Sequence, residues 1–211
     1  MSQEFDENCK LCNRLASFLD LVRKTYPHYH ARPVAAIGDR NPRLLIVGLA
    51  PGMHGANATG RPFTGDYAGI LLYQTLYDFG FSNQAHSSHC KDGLILKDCR
   101  ITNAVKCLPP DNKPIGEEVR CCNRYLRAEL TVLKGGAVIL ALGTVAHAAI
   151  LRALDLRVKQ YPFGHGNEYM LPGGSYLIDS YHCSRYNTQT GRLTETMFRQ
   201  VFTQIRRCLA E

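Results

Sequence analysis

Four of the nine cysteines in this 211-residue chain are spaced as ligands. Cys9 and Cys12 form a CxxC pair near the N-terminus, Cys107 follows a short aliphatic run, and Cys122 stands at the start of an expected helix. A four-cysteine cage suits a [4Fe-4S] cluster or a structural zinc ion, and ligand identity alone does not separate the two. Cys121, directly before Cys122, competes for its place. Closing Cys9 and Cys12 onto Cys107 and Cys122 would fasten the N-terminal segment to loops behind an active face, which is structural work. Burial is the ordinary role for Cys99 and Cys208, and the odd cysteine count argues against complete disulfide pairing.

A second set of chemistry-bearing residues sits in GLAPGMHGANATGRPFTGD, residues 48–66, where five glycines and two prolines follow an aliphatic run. Such a segment brings backbone N–H groups close to a ligand. It lacks the GK[ST] ending of a Walker loop and does not match GxGxxG, which argues against a nucleotide-phosphate cradle. Phe63, flanked by Arg61, Pro62 and Thr64, is a lone aromatic that could stack on a flat base or pack beneath the loop. Asn57, His54 and Asp66 could orient a water or read a heterocycle edge, or could simply stabilise the loop.

Near the other end, SYHCSRYNTQTGRLT carries His182 after a further aliphatic run. Opposite the glycine-rich segment, His182 could donate a hydrogen bond to a carbonyl oxygen that gains charge as a glycosidic bond breaks. Its plain alternative is a satisfied core histidine. Arg185, Asn187 and Arg192 belong to a polar stretch suited to contacting phosphates and pushing into a duplex from the minor-groove side.

The elements that must position these residues are legible as periodicity. Segments 43–49, 100–105, 137–142 and 175–181 are short, rich in branched aliphatics and bounded by breakers, as buried strands are. Segments 15–26, 68–79, 117–133, 144–153 and 195–209 place apolar residues at helical spacing, with Thr144 and Thr194 as expected caps. Alternating strands and helices predict a three-layer α/β/α sandwich around a central, mainly parallel four-stranded sheet, in one domain spanning residues 1–211. Ligands then bind beyond the carboxyl ends of the strands, where segments 48–66, 103–110, 143–147 and 182–192 lie.

Lys and Arg total 25 against 18 Asp and Glu, a net charge of +7 with a pI near 9.0, which suits a polyanionic partner such as nucleic acid. No run approaches the roughly 18 to 20 apolar residues of a membrane span, and MSQEFDENCK has no signal-peptide pattern. A cytoplasmic monomer without membrane contact is the expectation.

Taken in order, these motifs resemble those of the family 5, or type B, uracil-DNA glycosylases over nearly the whole chain. Residues 48–66 look like the family's first motif, ITNAVKCLPP from Ile101 looks like its central strand, and residues 182–194 look like its second motif and DNA-inserting loop. The resemblance implies that Phe63 stacks on a base flipped out of damaged DNA, Asn103 reads its edge and His182 steadies its departure. It further implies that backbone amides near Ala50 and Gly52 complete the pocket, and that Cys9, Cys12, Cys107 and Cys122 hold a [4Fe-4S] cluster. Related families carry an acid at the position of Ala50, so water activation falls to Asp66 or Asn57. The implied activity is monofunctional hydrolysis of uracil and other deaminated bases such as hypoxanthine and xanthine; a lesion-binding protein with little or no catalysis is the alternative. Ala58 and Cys183 depart from the arginine and proline usual in the family.

Overall fold

A computed structural model describes residues 5–210. In chain order its elements are α1 (Asn13–Thr25), β1 (Ile37–Gly38), β2 (Leu44–Gly48), α2 (Ala56–Thr59), α3 (Tyr67–Asp78), β3 (Cys99–Asn103), α4 (Gly116–Thr131), β4 (Val138–Leu142), α5 (Thr144–Ala153), β5 (Glu168–Met170), β6 (Tyr176–Ser180), α6 (Arg185–Gln189) and α7 (Glu195–Ala210). The four expected strands form the parallel centre of the sheet, in the order β3-β2-β4-β6. The sheet is nevertheless six-stranded, because β1 and β5 add antiparallel edges to β3 and β6. At two and three residues these edges are too short to show a periodicity, which is why the expectation of four strands fell short.

Successive residues of a strand point to opposite faces, and both faces here are covered, so each central strand reads as a continuous aliphatic run. Leu45, Val47, Ile139, Ala141 and Leu177 pack with α1, α4 and α5 on one side. Leu44, Ile46, Val138, Leu140 and Ile178 pack with α3 and α7 on the other. This is the expected α/β/α sandwich.

The caps fix where the site-bearing loops end. Asp66 accepts a 3.0 Å hydrogen bond from Gly69 N and starts α3, while Thr194 accepts one of 3.2 Å from Met197 N and starts α7. The expected cap at Thr144 is replaced by Gly143, whose φ of 95° lets the chain turn directly from β4 into α5. Among the described residues no helix is long and apolar enough to cross a membrane.

Candidate active site

The parallel strands all end on one edge, and the register sets Gly48 beside Asn103 there. Beyond that edge lies a cavity of about 500 Å³, lined among others by Ala50, Gly52, Phe63, Asp66, Asn103 and His182. The volume suits a small heterocycle with its sugar. The glycine-rich segment and the segment after β6, distant in sequence, thus meet where an α/β sheet presents a ligand site.

Phe63 is buried and holds a left-handed backbone, φ 56°, which a bulky residue seldom adopts. Two contacts fix it there. Tyr73 Oη donates to Pro62 O at 2.7 Å, and Gly69 lacks the side chain that would run into the Phe63 carbonyl, since a Cβ at Gly69 would lie 1.8 Å from that oxygen. Strain held this way is a common device for presenting a functional ring.

Gly48 is equally constrained. A Cβ added there would lie 2.4 Å from Asn103 Oδ1 and 2.5 Å from Phe63 Cζ. Glycine at the end of β2 therefore lets the Phe63 ring and the Asn103 amide converge on one corner of the cavity. A Gly48→Ala substitution is expected to push both aside while leaving the sheet intact. Displacing such groups by about 1 Å costs on the order of 100-fold in rate, so kcat/KM measured by alkali cleavage of lesion-bearing oligonucleotides should fall by about that factor with little change in melting temperature.

Asn103 Oδ1 is buried and has no hydrogen-bond partner among the described residues. An unmet acceptor at the floor of a pocket calls for a donor from a ligand. The His182 ring faces Phe63, with centroids 5.8 Å apart and planes 26° apart. Burial pushes the His182 pKa down to about 4, so its imidazole is neutral at physiological pH and donates a single N–H. The main chain of His182 is held from behind, because Asn187 Nδ2 donates to its carbonyl at 2.8 Å.

Asp66 borders the cavity with its carboxyl pKa raised by burial, against the lowering effect of the Gly69 and Ala68 N–H groups. Cap duty occupies Oδ1, while Oδ2 lies beside the glycine loop, 3.6 Å from where a Cβ on Gly52 would stand. Asn57, expected to share the work of orienting water, is not among the residues that border the cavity. It is fully buried beneath the loop, with Nδ2 donating to Met53 O at 3.3 Å, while its Oδ1, like that of Asn103, is buried without a hydrogen-bond partner among the described residues. His54 is exposed and binds the Tyr29 hydroxyl at 2.8 Å.

The polar stretch after His182 contains the short helix α6, capped by Ser184, which accepts from Asn187 N at 3.4 Å. Arg185 lies over the Tyr67 ring at 5.8 Å and Arg192 over the Tyr181 ring at 4.7 Å, so both guanidinium groups stand at the cavity rim. Asn187, expected to contact DNA, also borders the cavity and uses its Nδ2 to hold His182 O. Sequence reasoning missed Tyr67, Phe163 and Tyr181, which also border the cavity, and Tyr186, which is 70% exposed on α6. Only the exposed aromatic within a polar run, Tyr186, carried a visible signal.

On the α1 and α4 side, Cys9, Cys12, Cys107, Cys121 and Cys122 line one small hollow with Leu15, Pro33 and Tyr125. Cys122 sits well inside α4 rather than at its start, and its Sγ accepts a 3.2 Å hydrogen bond from Lys106 N. Burial pushes the Cys107 thiol up, and the neighbouring Cys122, Cys9 and Cys12 push it further. Burial also raises Cys12, to about 12, with Cys121 as its hydrogen-bonding neighbour. Among the described residues no three His, Cys, Asp or Glu side chains stand in a geometry that would hold a metal ion. The donor set itself, thiols gathered in an apolar hollow with an amide N–H aimed at one sulfur, fits the chemistry of a soft metal centre.

Comparison with known proteins finds relatives along nearly the whole chain. The family model described as the uracil DNA glycosylase superfamily matches residues 35–206. A type-5 uracil-DNA glycosylase of Thermus thermophilus is 46% identical over 94% of this chain and 93% of its own length. The type-5 enzyme of Pyrobaculum aerophilum is 40% identical over 97% and 89%. A type-4 uracil-DNA glycosylase of Thermotoga maritima is 31% identical over 72% of the chain and 69% of its own length.

Proposed function

The chain belongs to the uracil DNA glycosylase superfamily and, within it, to the type-5 uracil-DNA glycosylases, and on that premise we propose that its cavity excises uracil from DNA and also admits hypoxanthine and xanthine. The observation that carries the reading is the buried, unpaired Asn103 Oδ1 beside Phe63. Uracil, hypoxanthine and xanthine all present a lactam edge, an N–H donor next to a carbonyl acceptor. An asparagine amide complements that edge, with Oδ1 accepting and Nδ2 donating. Cytosine and adenine carry the opposite order on the corresponding edge, so the pocket favours deaminated bases without distinguishing sharply among them.

In this reading the base is flipped out and stacks on Phe63, with an unpairing cost of a few kcal/mol that is least at a mismatch. Tyr186 wedges into the space left in the stack, and Arg185 and Arg192 hold flanking phosphates. As the bond from C1′ to the base nitrogen breaks, its electron pair stays with the base. The neutral His182 donates its N–H to the base carbonyl oxygen that gains charge. A water held at Asp66 Oδ2 adds its hydroxyl to C1′ and gives its proton to the Asp66 carboxylate. The base anion then takes up one proton, which leaves an abasic site, free base and, once Asp66 has released its proton, the starting carboxylate. A raised carboxyl pKa makes Asp66 a better base than an exposed aspartate. Ala50 offers no side chain for this step. The test is to incubate purified protein with uracil, hypoxanthine and xanthine duplexes and then treat with alkali. Breaks with all three support the reading, breaks with uracil alone remove the wider substrate range, and none at all would leave a lesion-binding protein.

The second part of the proposal is that Cys9, Cys12, Cys107 and Cys122 bind a [4Fe-4S] cluster. Support comes from the gathering of these four cysteines in one apolar hollow, which Cys121 also lines, and from the Lys106 amide N–H aimed at Cys122 Sγ. When bound, the cluster would staple the start of α1 to the segment after β3 and to α4. Cys122→Ser is expected to lose most of the iron and the brown colour, whereas Cys121→Ser keeps both. Iron content and absorbance near 400 nm read the difference, and equal loss from the two variants would refute the assignment.

A further inference from the structure

Deep behind the cavity, on the sheet side away from Asp66, His147 and Asp179 form a pair that the chemistry above does not use. Both are essentially without solvent exposure, at 1% and 0%. His147 Nδ1 lies 2.7 Å from Asp179 Oδ1, and Nε2 lies 2.8 Å from Tyr161 O. A backbone carbonyl only accepts, so Nε2 carries a hydrogen. The contact to Asp179 needs one more, on Nδ1 or on the carboxyl. The pair therefore holds one proton beyond a neutral imidazole beside an ionised carboxylate, and neither partner is satisfied without the other.

What the pair grips is the segment between α5 and β5. Tyr161 O accepts from His147, Gly164 N donates to Asp179 Oδ2 at 3.4 Å, Gly166 N donates to Asp179 O at 2.8 Å, and Asp179 N donates to Asn167 O at 2.9 Å. Phe163 lies within this grip. Its ring meets the His147 ring edge-on at 5.6 Å, reaches Tyr181 at 6.3 Å and forms part of the cavity wall. Exposed loop backbone has no such anchoring by default, and here it is tied at four points to two buried side chains and one strand.

We propose that His147 and Asp179 are positioning residues that hold Phe163 as a wall of the base pocket, so that they influence excision only through that ring. This rests on the glycosylase reading above. A double-mutant cycle tests it on the intact protein, with kcat/KM for a uracil duplex measured for His147→Leu, Phe163→Leu and the double variant. Each single change is expected to cost at least about tenfold, and the double variant no more than the worse single, because a ring already absent has nothing left to be positioned. Asp179→Asn supplies a conservative rescue: its amide donates to Nδ1 while Nε2 keeps its hydrogen, so both bonds survive without the shared proton, and kcat/KM stays within about threefold of the parent. His147→Gln, which preserves one of the two bonds, closes the same cycle should the leucine variant not fold. Costs that multiply in the double variant, or a His147 variant with undiminished kcat/KM, would overturn the proposal. Failure of the parent protein to excise uracil would instead count against the glycosylase reading, so the two failures are distinguishable.

Discussion

His182→Ala is expected to lower kcat for uracil excision by about 10²–10³-fold while KM changes little. In the proposed mechanism the imidazole is a single preorganised donor to charge that exists only in the transition state, and removing one such donor has that order of effect. The low pKa adds a pH signature. A histidine of ordinary pKa would be half protonated near pH 6.5. Burial lowers His182 to about 4, so no limb belonging to it appears in the kcat profile between pH 8 and 5. The sign for stability follows the same way: the fold favours the neutral form, so this contribution is intact above about pH 6.5 and is lost as pH falls towards 4. A rate profile that drops by half near pH 6.5 and is flat in the alanine variant would contradict the neutral assignment.

Asn103→Ala should cost about 10²–10³-fold in kcat/KM for uracil and should narrow the gap between uracil and cytosine duplexes. The argument turns on the unmet Oδ1. Among the described residues that acceptor has no partner, and in the proposed reading a flipped base brings an N–H to it. Alanine removes the recognition while Oδ1 gives up no partner among the described residues, so the variant is expected to keep a melting temperature close to that of the parent. Activity falling while the melting temperature holds or rises separates a reading residue from a structural one. A fall in both together would place Asn103 in the core instead.

Much of this molecule was open to reading from sequence, for a physical reason. Strands buried on both faces must be aliphatic throughout, and helices on a sheet must be apolar at three-and-four spacing, so all nine major elements emerged within a few residues of their bounds. One rule about strand ends pointed to the segments that carry Phe63, Asn103 and His182, whereas the role of Asn103 came only from the family resemblance. What stayed hidden depends on distances. Asn57 and Asp66 are equally plausible polar residues of one loop, and only their burial tells that one lies beneath the loop and the other on the cavity. The grip of His147 and Asp179 on Phe163 joins three segments that no local pattern connects. Gly48 reads as one more loop glycine until the Asn103 and Phe63 side chains are seen to occupy the space where its Cβ would be.

The central claim is that this cavity hydrolyses the bond between uracil and deoxyribose, and its most direct test is to count free uracil released against abasic sites formed on a single-uracil duplex. The account predicts one free uracil per abasic site, with the strand intact until alkali is added. Strand breaks without alkali, or DNA bound tightly with no uracil released, would contradict it.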